Sequence, residues 1–170
     1  MNKNKIALLV DSGTDVPMEY RKKYGIYWLP LLINYSDRQY LDGVDIDPTE
    51  MYERLPVEIP KTSLPNHGMV SEMFDRIRAD GYENVLAVTI SSGLSGTHNM
   101  IRVTAEEYEG LDIHVGDTKN ISIGAGLIAI RAAQMINDEN MSWKELLLRI
   151  KHEIPRAKVF FCLDTRQYLQ

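Results

Sequence analysis

The chain has 170 residues, 44% of them hydrophobic and 25% charged, the profile of about one globular domain whose core needs no disulfide or structural metal. Its formal net charge of -5 lacks the basic footprint that a phosphate backbone requires, so no nucleic-acid partner is expected. The single cysteine, Cys162, rules out an internal disulfide or a zinc-type cluster, and within the apolar run VFFCL it reads as a buried core residue in a reducing compartment.

The opening MNKNKIALLV reaches Asp11 after an apolar run too short for a signal peptide or a membrane span, which points to a cytoplasmic chain. Lys5 to Val10 reads as a strand that ends at Asp11-Ser12-Gly13-Thr14-Asp15. Pro17 then suits the first turn of a helix capped by Asp15. Ile26 to Tyr35 (IYWLPLLINY) is a second extended run, placed at or near an edge by Pro30, and Tyr35 to Leu41 reads as a hairpin return. Asp47-Pro48-Thr49-Glu50 supplies a cap, a proline at N1 and a glutamate at N3 for a helix through Leu55. Further strands are expected at Val85 to Ile90, Asp112 to Val115 and Ala157 to Leu163. Helices are expected at Asn66 to Ala79, Ser95 to Tyr108 and Ile121 to Asn137, with another opened by the Ser142-x-x-Glu145 capping box. This alternation predicts an α/β fold, a mostly parallel sheet flanked by helices in three layers.

In such a fold ligands collect where strand ends feed helix N-termini. Ser91-Ser92-Gly93-Leu94-Ser95-Gly96-Thr97 lies at such a place, as do the Asp11–Asp15 turn and Gly116-Asp117-Thr118; Lys61-Thr62-Ser63-Leu64-Pro65 adds a hydroxyl pair closed by a proline. The serine- and glycine-rich turn admits two readings that sequence leaves open. Its hydroxyls and amides can cap a helix, or they can face outward as a cradle for a carboxylate or phosphate. A serine nucleophile fits less well, since Gly93-Leu94-Ser95-Gly96-Thr97 misses the last glycine of the nucleophile elbow, and a P-loop would need a lysine after the glycines. Gly124-Ala125-Gly126-Leu127-Ile128-Ala129 mimics a dinucleotide fingerprint, but DTKNIS separates it from its strand; the glycines are better explained by close packing of a buried helix. Asp42, Asp45 and Asp47 lack calcium-loop spacing and read as a turn and a cap. No cofactor and no metal is expected.

The turn Asp11–Asp15, KTSLP, ISSGLSGTHN, GDTKNISIGAGL and VFFCLDTRQYL occur in the order found in the DegV family, and the chain resembles that family over almost all its length. The resemblance implies a bacterial protein that binds a long-chain fatty acid between two domains, in some members as the lipid-presenting partner of a fatty-acid kinase, so that the chain is a carrier and not an enzyme. It also implies that Thr62 and Ser95 donate hydrogen bonds to the carboxylate, with Ser63, Ser92 and the Gly96 amide in support. Family members continue past LDTRQYL into a second domain that supplies an arginine and a histidine. Residues 1–170 therefore resemble the amino-terminal domain alone, with an apolar cleft face open to self-association. His98 stands where the family usually has tyrosine. The competing reading is a small phosphotransferase or hydrolase using Asp11 or Ser95; a third is an interaction module without ligand.

Overall fold

The computed structural model describes residues 2–160 and 162. In chain order the elements are β1 (Ile6–Asp11), α1 (Met18–Tyr24), β2 (Tyr27–Leu29), β3 (Leu32–Asn34), β4 (Gln39–Leu41), α2 (Pro48–Arg54), β5 (Lys61–Ser63), α3 (His67–Ala79), β6 (Asn84–Thr89), α4 (Thr97–Glu107), β7 (Asp112–Asp117), α5 (Ile123–Asn137) and α6 (Trp143–Glu153), with 3-10 turns at Ser12–Thr14 and Ile154–Arg156.

The main sheet has the order β2-β1-β6-β7 and is parallel throughout. Its central strands are apolar on both faces because both faces are covered. Leu8, Val10, Leu86 and Val88 pack with Ile128, Ala132 and Met135 of α5 and Leu146 and Ile150 of α6. Ala7, Leu9, Val85 and Ala87, the alternate residues of the same strands, pack with Val70, Phe74 and Ile77 of α3 and Ile101 of α4. That is the three-layer α/β arrangement expected from the alternating pattern. Helix starts follow the sequence signals: Asp47 accepts the Glu50 amide, Asn66 accepts the Met69 amide, and Ser142 and Glu145 complete a capping box.

The expected second extended run is divided. It breaks at Pro30, so that β2 joins the edge of the main sheet while β3 enters a separate antiparallel sheet of order β4-β3-β5. Proline offers no amide to continue a ladder, and the next amide, that of Leu31, is taken by Ser12 Oγ at 2.9 Å. The Lys61-Thr62-Ser63 segment, not expected as a strand, is β5, with Thr62 paired to Ile33. Asp15 does not cap α1, whose N-cap is Pro17; it closes the preceding 3-10 turn with φ 49°. Ala157 to Phe160 form no strand, Phe160 is 88% exposed, and Cys162 is exposed rather than buried. The segment pairs with no strand among the described residues; Ala157 and Val159 are half-buried against the core and α5, while Phe160 points to solvent. Phe161 and Leu163, the rest of that expected strand, lie outside the described residues.

Close packing of α5 explains its glycines. A Cβ on Gly126 would lie 2.5 Å from the Thr14 carbonyl oxygen, and one on Gly124 would lie 2.8 Å from Val159 Cβ. The helix thereby sits directly against the turn that follows β1.

Candidate functional site

Three loops leave the carboxyl ends of β1, β6 and β7 on one side of the sheet and are tied to one another. The Ser91 amide donates to the Asn120 carbonyl at 2.7 Å, and the Ser122 amide donates to the Gly13 carbonyl at 2.9 Å. Thr118 Oγ1 donates to the Thr89 carbonyl at 2.8 Å, and Ser122 Oγ donates to Asp15 Oδ2 at 2.6 Å. Asp15, Lys119 and Ser122 all take positive φ without being glycine. Such backbone is held only where its surroundings over-determine it, and it gathers at functional sites.

The strand β5 closes the fourth side. Its Ser63 Oγ accepts Asn34 Nδ2 at 3.0 Å, leaving the serine proton free to donate. Leu64 then leans over the β6–α4 turn, its methyls 3.7 Å from where a Gly96 Cβ would stand. The result is a groove of about 540 Å³ lined by Thr62, Ser63, Ser95 and Gly96 together with Gly13, Asp15, Leu31, Leu64, Ile90, Leu94, Ile121 and Ser122. Four of the five residues singled out from sequence face this one groove. Ser92 does not line it: its amide donates to Asp117 Oδ1 at 3.1 Å and its hydroxyl accepts Lys119 Nζ at 3.2 Å.

Ser95 Oγ accepts the Thr97 amide at 3.2 Å and lies 2.8 Å from Thr97 Oγ1. Among the described residues no protein acceptor pairs with the His98 and Asn99 amides at the start of the 11-residue α4, whose Thr97 amide goes to Ser95 Oγ. His98 is half-buried with Nδ1 3.4 Å from Thr89 Oγ1, and burial lowers its pKa. The imidazole is thus paired with Thr89, and Ser95 with Thr97; no nucleophile–base hydrogen bond joins Ser95 to His98. No group of three His, Cys, Asp or Glu side chains suited to a metal occurs among the described residues.

Charge in the groove is uneven. Among the described residues no lysine or arginine lines it, whereas Asp15 does. Beneath the floor Asp11 is 0% exposed. Its Oδ2 accepts the Ile90 amide at 2.9 Å and its Oδ1 has no partner. Burial pushes its pKa up to about 7, against the lowering effect of the Ile90, Gly13 and Thr14 amides. Asp117 behaves oppositely: burial pushes it up, but hydrogen bonds from Lys119 and Ser92 prevail and hold it well below the usual carboxylate range.

Past Leu94 and Ile121, which line both, the groove adjoins a second of about 760 Å³ walled by Ile154, Pro155, Ala157, Val159 and Phe160, with Lys119 and Lys158 also on its lining. Sequence reasoning found the hydroxyls but missed Asp11 as a floor residue and Ser122 as the tie between loops. DTKNIS held the latter signal, a serine just ahead of a helix.

The chain matches the family model described as "Uncharacterised protein, DegV family" over residues 5–170. A DegV domain-containing protein of Clostridium acetobutylicum is 38% identical over 165 residues, 97% of this chain and 59% of the relative; the chain thus spans little more than half of that protein's length. Among solved structures, a fatty-acid-binding DegV family protein from Thermus thermophilus superposes with TM-score 0.79 at 29% identity, covering 91% of this chain and 54% of that one. A stearic acid-binding protein from Eubacterium ventriosum superposes with TM-score 0.77 at 27% identity, covering 86% and 52%. No helix among the described residues is long and apolar enough to cross a membrane.

Proposed function

The chain belongs to the DegV family, and from that premise we propose that it binds a long-chain fatty acid, with the carboxylate at the Thr62 and Ser95 hydroxyls. The observation that carries this reading is the junction of two grooves. One presents hydroxyls and Gly96, the N-cap of α4; the other, sharing Leu94 and Ile121, is walled mainly by apolar side chains. Neutral donors and a helix N-terminus suit a carboxylate, and an apolar trough suits an acyl chain. Ser63 and the Gly96 amide stand beside the head group as supporting donors. The fatty acids bound by the Thermus thermophilus and Eubacterium ventriosum relatives support the same class of ligand.

The role is that of a carrier. Among the described residues Ser95 is bonded to Thr97 and not to a base, and Asp11 is buried, so phosphoryl chemistry on the bound acid would fall to a partner kinase. Native extraction followed by lipid mass spectrometry tests the reading. A co-purifying or added long-chain fatty acid retained by the chain, and lost in Thr62→Val with Ser95→Ala, is the expected result. Retention of none, or turnover of a phosphate or acyl ester dependent on Ser95, overturns it.

A further inference from the structure

A carboxylate-binding groove with no cation among the described residues of its lining and a carboxyl group beneath its floor has an electrostatic difficulty, and Asp11 supplies the means to relieve it. Asp11 ends β1 at the centre of the sheet, 0% exposed. Two residues that touch its carboxyl also line the groove. Ile90 donates its amide to Oδ2 at 2.9 Å, and a Cβ on Gly13 would stand 3.3 Å from Oδ1. Among the described residues Oδ1 is buried without a hydrogen-bond partner, and the Ile90, Gly13 and Thr14 amides favour the ionised form less than burial disfavours it. The described surroundings offer no compensating charge. The adjoining strands present Leu29 and Ile90, the first turn of α5 carries no charged residue, and Lys119 of the β7–α5 loop is bonded to Asp117. Among the described residues the like charge of Asp15 acts on Asp11, and its burial already favours the neutral acid.

We propose that Asp11 is a proton-linked positioning residue: the groove takes up an anionic head group together with a proton, which comes from solvent and resides on Asp11 Oδ1. This rests on the fatty-acid reading of the groove. A carboxylate seated over Gly13 and Ile90 adds a second like charge near Asp11 and strengthens its hold on the proton. By reciprocity the protonated acid strengthens binding of the anion. An ionised Asp11 would instead set two carboxylates across one layer of protein.

The test is titration calorimetry with laurate, kept below its micellar concentration, at intervals between about pH 6 and pH 9, on the parent chain and Asp11→Asn. Asparagine can still accept the Ile90 amide but carries no titrating proton. The parent should lose affinity above neutrality, by up to about tenfold per pH unit at the steepest, while the Asp11→Asn variant should not; laurate's own titration is common to both proteins and cancels in the ratio. Calorimetry of the parent in two buffers of different ionisation enthalpy gives proton uptake on binding directly, and decides the matter even if the Asp11→Asn variant fails to fold. Uptake of no proton by the parent, or a pH profile shared by both proteins, overturns the coupling and leaves the fatty-acid reading standing. Binding by neither protein at any pH overturns both.

Discussion

Ser95 Oγ accepts the Thr97 amide at 3.2 Å and hydrogen-bonds to the hydroxyl of the same residue at 2.8 Å, so the oxygen assigned to the ligand also caps the start of α4. Thr62, by contrast, lies exposed on the strand β5 and holds up no helix. The two proposed head-group donors therefore differ in what else depends on them.

Ser95→Ala should lose on both counts. Removing the cap costs about 1 kcal/mol of stability, and removing a donor to a charged carboxylate costs about 1.5–3 kcal/mol of binding. Chemical denaturation and fatty-acid titration on one preparation measure the two losses separately. A stability loss with unchanged affinity would make Ser95 a cap alone.

Thr62→Val keeps the β-branched shape that suits a strand and should leave stability within about 0.5 kcal/mol. Affinity for a fatty acid should nevertheless fall by roughly tenfold or more, the equivalent of a lost charge-assisted hydrogen bond. Equal affinity in parent and variant would remove Thr62 from the site.

Much of this was legible in the chain, for identifiable reasons. The alternation of apolar strands with capped helices pointed to the parallel core, because caps such as Asn66 and Ser142 are local chemistry that tertiary contacts did not override. The break at Pro30 was visible as a proline, but the sheet each half would join depends on Ser12 Oγ taking the Leu31 amide, a contact 19 residues away. Asp15 looked like a cap, yet its carboxylate goes to Ser122, 107 residues on. Thr62 and Ser95 could be named from motif; that they share a groove with Gly13 and lie above a buried acid follows only from the packing of α5 on the first turn.

Gly126→Ala tests that packing. The added methyl would stand 2.5 Å from the Thr14 carbonyl oxygen, which is backbone and cannot rotate away. The higher helix propensity of alanine is worth about 1 kcal/mol, and the overpacking should outweigh it, for a net loss of about 1–3 kcal/mol. Because Thr14 belongs to the turn after Asp11, amide shifts of Gly13 and Asp15 should move as well. A variant more stable than the parent would show that the helix and the turn are not in contact.

Asp11 also predicts a pH signature of stability without ligand. Its folded-state pKa is raised from 3.8 to about 7, so from about pH 4 to pH 7 the folded chain holds a proton that the unfolded chain has released. Stability contributed by this group is fully present below the unfolded value and is lost as pH rises through about 7, by about 4 kcal/mol at most. Asp11→Asn removes the dependence. Its stability relative to the parent should rise between pH 5 and pH 8, read as a widening gap in denaturation midpoints. A gap that stays constant would mean that Asp11 titrates alike in both states.

The apolar groove makes its own prediction through acyl-chain length. A methylene wholly enclosed by protein contributes about 0.8 kcal/mol, close to a fourfold gain in affinity. The groove past Leu94 is open: Leu94 is 63% exposed and Phe160 88%. One wall should cover about half of a tail lying along it, or roughly 0.4 kcal/mol per methylene. The 170-residue chain on its own should therefore tighten by only about twofold for each methylene added from laurate to palmitate. Leu94 lines the second groove, so Leu94→Ser should flatten the slope further. Titration of the even-numbered acids measures the slope. A fourfold gain per methylene would mean that this chain encloses the tail unaided, and no gain at all would mean that the tail does not lie in the groove.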